Sequence, residues 1–280
     1  MKIVALIENT TRTCRPVEHG LSLYIETDRH CLLFDTGQSP LLAENAAFFG
    51  VDLKKVDLCF LSHGHYDHGG GLAAFAAIND TAPIYMSRHA FEPHYHGPER
   101  YIGLNLDLLL DSALRDRIRY TDGTEKLDDQ LTLLSPGRDK TLDMGSAGLL
   151  TEENGRLVPE DFRHEQYLMV EENGKHVLFS GCSHQGILNI MNWFRPDVLV
   201  GGFHFMKHPL DDELLRYGKM LSAFDTTYYT CHCTGVEQFA FLQPLIPRMH
   251  YLSEGEEIRI RWFRNLLRSP GAQKWLFTES

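Results

Sequence analysis

Leu61-Ser62-His63-Gly64-His65-Tyr66-Asp67-His68 places three histidines and an aspartate within six positions. Groups packed this tightly repel one another when ionised and lose hydration when neutral, unless a cation lies among them. Imidazole and carboxylate together suit zinc, iron or manganese rather than calcium or magnesium. The run Leu58-Cys59-Phe60-Leu61 before the cluster reads as a strand. Alternate residues of extended chain project to one side, so His63 and His65 would share a face. Gly69, Gly70 and Gly71 then let the chain turn sharply before a helix.

The elements that must hold such a cluster are short. Apolar, β-branched or aromatic runs predict strands at 2–7, 21–26, 31–34, 56–61, 83–86, 166–171, 176–180, 198–201, 226–230 and 257–260. Asn173-Gly174 between two of these runs predicts a hairpin. Helices are expected at 40–49, 71–78, 186–194, 211–224 and 236–245, the fourth opening on the acidic turn Asp211-Asp212-Glu213. Hairpins come first and strands alternating with helices follow, which predicts an α/β fold with mixed sheets flanked by helices. Residues 91–163 carry Pro, Gly and charge with weak periodicity. They are read as an insertion covering the site, helical at about 102–114, within one domain spanning 1–280.

The bulk numbers exclude some classes. Acidic residues outnumber basic ones 38 to 27, giving a formal charge of -11 that disfavours nucleic acid and anionic membranes. Cys14, Cys31, Cys59, Cys182, Cys231 and Cys233 form no disulfide-type spacing, and Met1 to Glu8 reads as a strand rather than a leader. A cytoplasmic protein with free thiols and a small-molecule substrate is expected, with neither nucleic-acid nor membrane partner. The oligomeric state is left open.

The chain resembles the metallo-β-lactamase superfamily. His63 to His68 carry the resemblance together with Phe34-Asp35-Thr36-Gly37 upstream. Glu18-His19-Gly20, Gly181-Cys182-Ser183-His184, Gly201-Gly202-Phe203-His204 and Cys231-His232-Cys233-Thr234-Gly235 are similar to one branch more narrowly. That branch resembles 7,8-dihydropterin-6-yl-methyl-4-(β-D-ribofuranosyl)aminobenzene 5'-phosphate synthase. The resemblance implies an αββα sandwich of two mixed β-sheets flanked by helices, with one or two divalent transition metal ions at its edge. It implies His63 and His65 as ligands of the first metal, and Asp67, His68 and His232 of the second. Many members have an aspartate where Cys182 stands. Cys182 is therefore either a thiolate ligand, favouring zinc over iron or manganese, or a bystander to His184. His184 is preferred as the remaining first-metal ligand, with His164 as runner-up.

Metal-activated water, oriented by Asp67, implies hydrolysis; a metal-stabilised pyrophosphate leaving group implies transfer. The expected substrate is a phosphorylated or pterin-like small molecule, the alternative a phosphodiesterase or nuclease-type hydrolysis. His204 is a candidate proton donor or substrate contact, and Glu18 and His19 are candidate substrate contacts. His89, His94 and His96 read as a solvated loop rather than a further metal site, and Cys231 and Cys233 as buried packing thiols. The segment 259–268 reads as an amphipathic end that packs on the body.

Overall fold

Two seven-stranded sheets meet face to face in the computed structural model, which describes residues 1–137, 140–142 and 148–261. The first sheet runs, in spatial order, Glu257–Arg259, Lys2–Ile7, Ser22–Glu26, Cys31–Phe34, Leu58–Phe60, Ile84–Ser87 and Ile118–Thr121. The second runs Met249–Tyr251, Thr227–Thr230, Val198–Gly201, Lys175–Phe179, Tyr167–Glu172, Leu131–Leu134 and Glu125–Lys126. Both are mixed: antiparallel hairpins give way to parallel strands at Leu58–Phe60 in one and at Val198–Gly201 in the other.

Strand periodicity explains the layering. In Lys2–Ile7, Ile3 and Ala5 point between the sheets, whereas Val4 and Leu6 point to the outer face. Phe34 and Phe60 also point inward, and Phe34 meets Phe179 of the opposite sheet with ring centroids 5.7 Å apart. The outer face of the first sheet is covered by helices Leu41–Phe48 and Leu72–Ile78, through Leu42, Ala46, Leu72 and Phe75. Ile187–Phe194, Asp212–Ser222 and Val236–Leu242 cover the second through Ile187, Ile190, Leu214, Leu221 and Leu242. Strands buried on both faces read as near-continuous apolar runs, which is why they are legible in the sequence. This is the expected αββα sandwich.

Local signals act where they are expected. Asn173 and Gly174 both have positive φ, 54° and 72°, the conformation a two-residue hairpin turn requires. The Asp211 side chain accepts from the backbone N–H groups of Glu213 and Leu214 and caps the helix Asp212–Ser222. The helix expected over 236–245 ends at Leu242 and continues as a 3-10 turn, Gln243–Leu245, around Pro244.

Residues 91–163 differ from expectation. They carry several short strands, including a third sheet ordered Arg156–Pro159, Leu149–Glu153, His94–His96, Arg100–Tyr101. Leu131–Leu134 joins the second main sheet beside Tyr167–Glu172. These strands are only two to five residues long, too short for alternation to show in the sequence. The helix expected at about 102–114 is a 3-10 turn, Leu106–Leu109, and one α turn, Ser112–Arg115. Of the segment 259–268, residues 262–268 lie outside the described residues. Among the described residues no helix is long and apolar enough to cross a membrane.

Candidate metal centre

The candidate ligands sit just past strand ends at one edge of the sandwich. His63 and His65 follow Leu58–Phe60; Cys182 and His184 follow Lys175–Phe179; His204 follows Val198–Gly201; His232 follows Thr227–Thr230. Residues far apart in sequence thereby face one another. Sγ of Cys182 lies within 4.8 Å of ligand atoms of His63 and His184, and within the same limit of those of His68 and His232. Asp67 Oδ2 lies 3.5 Å from His232 Nε2 and 4.0 Å from His68 Nε2.

Hydrogen bonds set the orientation of three rings. His68 Nδ1–H donates to Asp35 Oδ2 at 2.7 Å. Ser62 donates twice to the same carboxylate, through its backbone N–H and its hydroxyl, both at 2.7 Å. The Ser62 Oγ is then free to accept from His63 Nδ1–H at 2.8 Å. His232 Nδ1–H donates to Asn9 Oδ1 at 2.8 Å, and the His232 backbone N–H donates to Glu8 Oε1 at 2.6 Å. In His63 and His232 the proton is held on Nδ1, so the Nε2 lone pair points inward. Burial opposes charge on His68, but Asp35 and Asp67 outweigh it and hold the ring up at about 9.

The donor set fits a metal ion. Buried polar atoms are nearly always paired. Yet His63 Nε2, His232 Nε2 and both ring nitrogens of His184 are buried without a hydrogen-bond partner. Burial, reinforced by the neighbouring imidazoles, holds His63 and His184 well below the usual histidine range, in the neutral form that ligates. His65 is held low as well, chiefly by burial. Burial opposes ionisation of Asp67, but His68, His19 and His232 outweigh it and keep the carboxylate ionised.

The two alternatives for the remaining ligand differ in this geometry. His164 Nδ1 accepts from the Gly64 backbone N–H at 2.7 Å, so its lone pair is engaged and its proton belongs on Nε2. His184 has both nitrogens free; its ring stacks on Phe162 at 4.7 Å, and its backbone N–H is held by Glu165 Oε1 at 2.7 Å. Cys182 is 3% exposed, with Sγ 3.2 Å from His68 Nε2.

A cavity of about 430 Å³ opens onto these groups. His19, His65, Asp67, Cys182, His184, His204 and His232 line it. His19 reaches Asp67 Oδ2 at 3.2 Å and is half exposed. Glu18 turns away: its carboxylate accepts from the backbone N–H groups of Gln38 and Ser39 and from the Ser39 hydroxyl, tying the loop rather than facing the cavity. His204 adopts positive φ, 55°. Burial opposes its charge, but Cys233, Glu165 and Asp67 outweigh that and hold it above the usual histidine range.

Some lining residues are not among the expected site residues. Cys233 is buried as expected of a packing thiol, but it also lines the cavity, with Sγ within 4.8 Å of ligand atoms of Cys182 and His204. Burial alone would raise its thiol, yet hydrogen bonds with Cys182 and His204 hold it well below the usual range. Arg100 and Lys207 give the mouth a cationic character against an acidic whole. Asn9 lies just beyond the first strand, and only its contact with His232 marks it out.

A model of the metallo-β-lactamase superfamily matches residues 15–220. An uncharacterized protein of Methanocaldococcus jannaschii is 27% identical over 250 residues, covering 87% of this chain and 94% of that protein. The same organism's 7,8-dihydropterin-6-methyl-4-(β-D-ribofuranosyl)-aminobenzene-5'-phosphate synthase is 27% identical over 263 residues, covering 84% and 88%. The crystal structure of Tm1679, a metal-dependent hydrolase of the β-lactamase superfamily, aligns with a TM-score of 0.79 at 26% identity, covering 93% of this chain and 99% of that one. Zn²⁺-bound PqqB from Methylobacterium extorquens shares the fold, with a TM-score of 0.57 at 12% identity, covering 93% and 100%.

Proposed function

Because this chain belongs to the metallo-β-lactamase superfamily, we propose that it is a metal-dependent enzyme acting at a phosphate or diphosphate group of a pterin-like small molecule. The observation that carries this reading is the set of buried, unpartnered imidazole nitrogens beneath a cationic mouth. The similarity to the dihydropterin synthase over 84% of this chain supports the substrate class.

His63, His65 and His184 would hold one metal ion, and Asp67, His68 and His232 a second, with Cys182 within reach of both. Zinc is the favoured ion if Cys182 ligates as a thiolate. Bound metal would supply a Lewis acid and bring water toward ionisation near neutral pH. The residues around it do the rest. Arg100 and Lys207, at the mouth, would draw in the anionic end of the substrate. Arg100 also donates to the Tyr66 hydroxyl at 3.0 Å, which fixes its fork beside the cavity. Asp67, held ionised, would accept a proton or orient water through the oxygen that faces His19 and His232. His204, held toward its protonated form, would give a proton to the departing oxygen. In a transfer the departing group would be pyrophosphate; in a hydrolysis it would be the ester or anhydride oxygen.

The test loads the purified protein with zinc, manganese or iron and measures phosphate and pyrophosphate release. Its substrates are a pterin-methyl diphosphate, with and without an aminobenzene ribotide, and simple phosphoesters. Turnover of the pterin diphosphate is expected, with His65→Ala losing both metal and activity. Full metal retention by His65→Ala would overturn the site. A metal-loaded protein inert toward every substrate would overturn the reaction.

A further inference from the structure

His94 was expected on a solvated loop with His89 and His96. His89 does lie near the surface, paired with Glu92 at 2.7 Å. His94 is fully buried: it stacks on His164 with centroids 4.0 Å apart and sits edge-on to His65 at 5.5 Å. With Glu160 these rings form a cluster behind the ligand loop, one ligand atom from each residue lying within 4.8 Å of the others. Nε2 of His65, His94 and His164 is in each case buried without a partner.

Such a cluster could be taken for a further metal site, but its protons argue otherwise. His164 Nδ1 accepts from Gly64 N–H, so the proton of this neutral ring is on Nε2 and would face the cation. His94 Nδ1 lies 2.8 Å from Glu160 Oε2. A carboxylate only accepts, so His94 Nδ1 carries the proton and its Nε2 keeps a lone pair. Glu160 Oε1, 3.7 Å from His164 Nε2, is a second acceptor. The cluster thus has one fixed donor, His164 Nε2–H, and two fixed acceptors. His65 Nε2 is the remaining buried nitrogen of the group, and a proton on it would face the unpaired His94 Nε2.

We propose that His94 and Glu160 are positioning residues that hold the His65 proton on Nε2 and leave its Nδ1 lone pair for a metal in the cavity. The order is Glu160, His94, His65, metal: an outer carboxylate orients one imidazole, which orients the next. The metal end of this chain rests on the reading of the site given above. The tautomer does not, because it is argued from the donors and acceptors that His94, Glu160 and His164 present toward His65. Both positioning residues belong to segment 91–163, so that segment supports the centre from behind as well as lining its mouth through His96, Arg100, Ile102 and Leu149.

The test is nitrogen NMR of isotope-labelled histidine side chains in the metal-free protein. His65 is expected protonated on Nε2. In Glu160→Gln the amide offers one acceptor and one donor where the carboxylate gave two acceptors, so with its donor turned to His94 the expected shift of His65 is toward the Nδ1-protonated form. Zinc affinity should then fall by about 10- to 100-fold. His89→Ala, outside the cluster, should change neither. His65 protonated on Nδ1 in the unaltered protein would overturn the proposal. So would a folded Glu160→Gln protein that keeps both tautomer and affinity. If Glu160→Gln does not fold, the tautomer in the unaltered protein decides alone. The expected tautomer without zinc uptake would strike the metal reading and leave the positioning role standing.

Discussion

Single contacts decide which atoms of this site are available. Nε2 of His63, His68 and His232 faces the candidate centre because Ser62, Asp35 and Asn9 hold the opposite nitrogens. Asn9 is the least obvious of the three. It also accepts from the Gly20 backbone N–H at 3.2 Å, which links the His19 loop to His232. Asn9→Leu should therefore lower metal affinity by about 10- to 100-fold. Titration of the metal-free protein with zinc, alongside a thermal melt to show an intact fold, measures this. Affinity equal to that of the unaltered protein would remove Asn9 from the site. The ligand cluster 63–68 was legible residue by residue, because four such side chains in six positions have few other uses. Asn9, Arg100 and Lys207 were not, because their roles depend only on what they meet across the fold.

At the scale of elements, the ligand loop works because it can run against its neighbours. A Cβ on Gly64 would stand 2.1 Å from the Ala90 carbonyl oxygen, a backbone atom that cannot swing aside. Gly64→Ala should push His63 and His65 off the strand end and cost about 1–3 kcal/mol. Each kcal/mol is worth about 2–4 °C in Tm for a chain approaching this size. Differential scanning calorimetry gives the shift, and metal analysis of the same sample should show reduced content. An unchanged Tm would mean that the loop yields more easily than the backbone contact implies. The strand–loop–helix order around this glycine was expected from the sequence, and so was the hairpin at Asn173-Gly174. Segment 91–163 was not. Leu131–Leu134 finds its partner on the distant Tyr167–Glu172, which no local signal marks, whereas the hairpin between Leu149–Glu153 and Arg156–Pro159 turns at Asn154-Gly155, a local signal that went unread.

Across the whole molecule, the last described turns close back on the first. Met1 N–H donates to the Ile260 carbonyl at 3.2 Å, and Glu254 N–H donates to the Thr10 carbonyl at 2.9 Å. Glu254 is fully buried there, and burial pushes its carboxyl from the ordinary 4.5 up to about 7. A raised folded-state value means that the native protein binds the proton more tightly than the unfolded chain. That stability is fully present below about 4.5 and is lost as pH rises through about 7, amounting to at most about 3 kcal/mol. Glu254→Gln should flatten this decline in Tm over the same window. A parallel decline in both proteins would assign it elsewhere. The sequence by itself determined mixed sheets flanked by helices, through apolar runs of strand length, and the local His/Asp cluster, through residue types at adjacent positions; the αββα sandwich came from the family resemblance. Tertiary structure alone decided which atom of each histidine faces the centre, how Cys182 and His184 meet His63 and His68, and that His94 and Glu160 stand behind His65. The reason is physical. Periodicity and ligand spacing are properties of neighbouring residues, whereas a lone pair's direction depends on hydrogen bonds made across the fold, as Asn9 makes to His232.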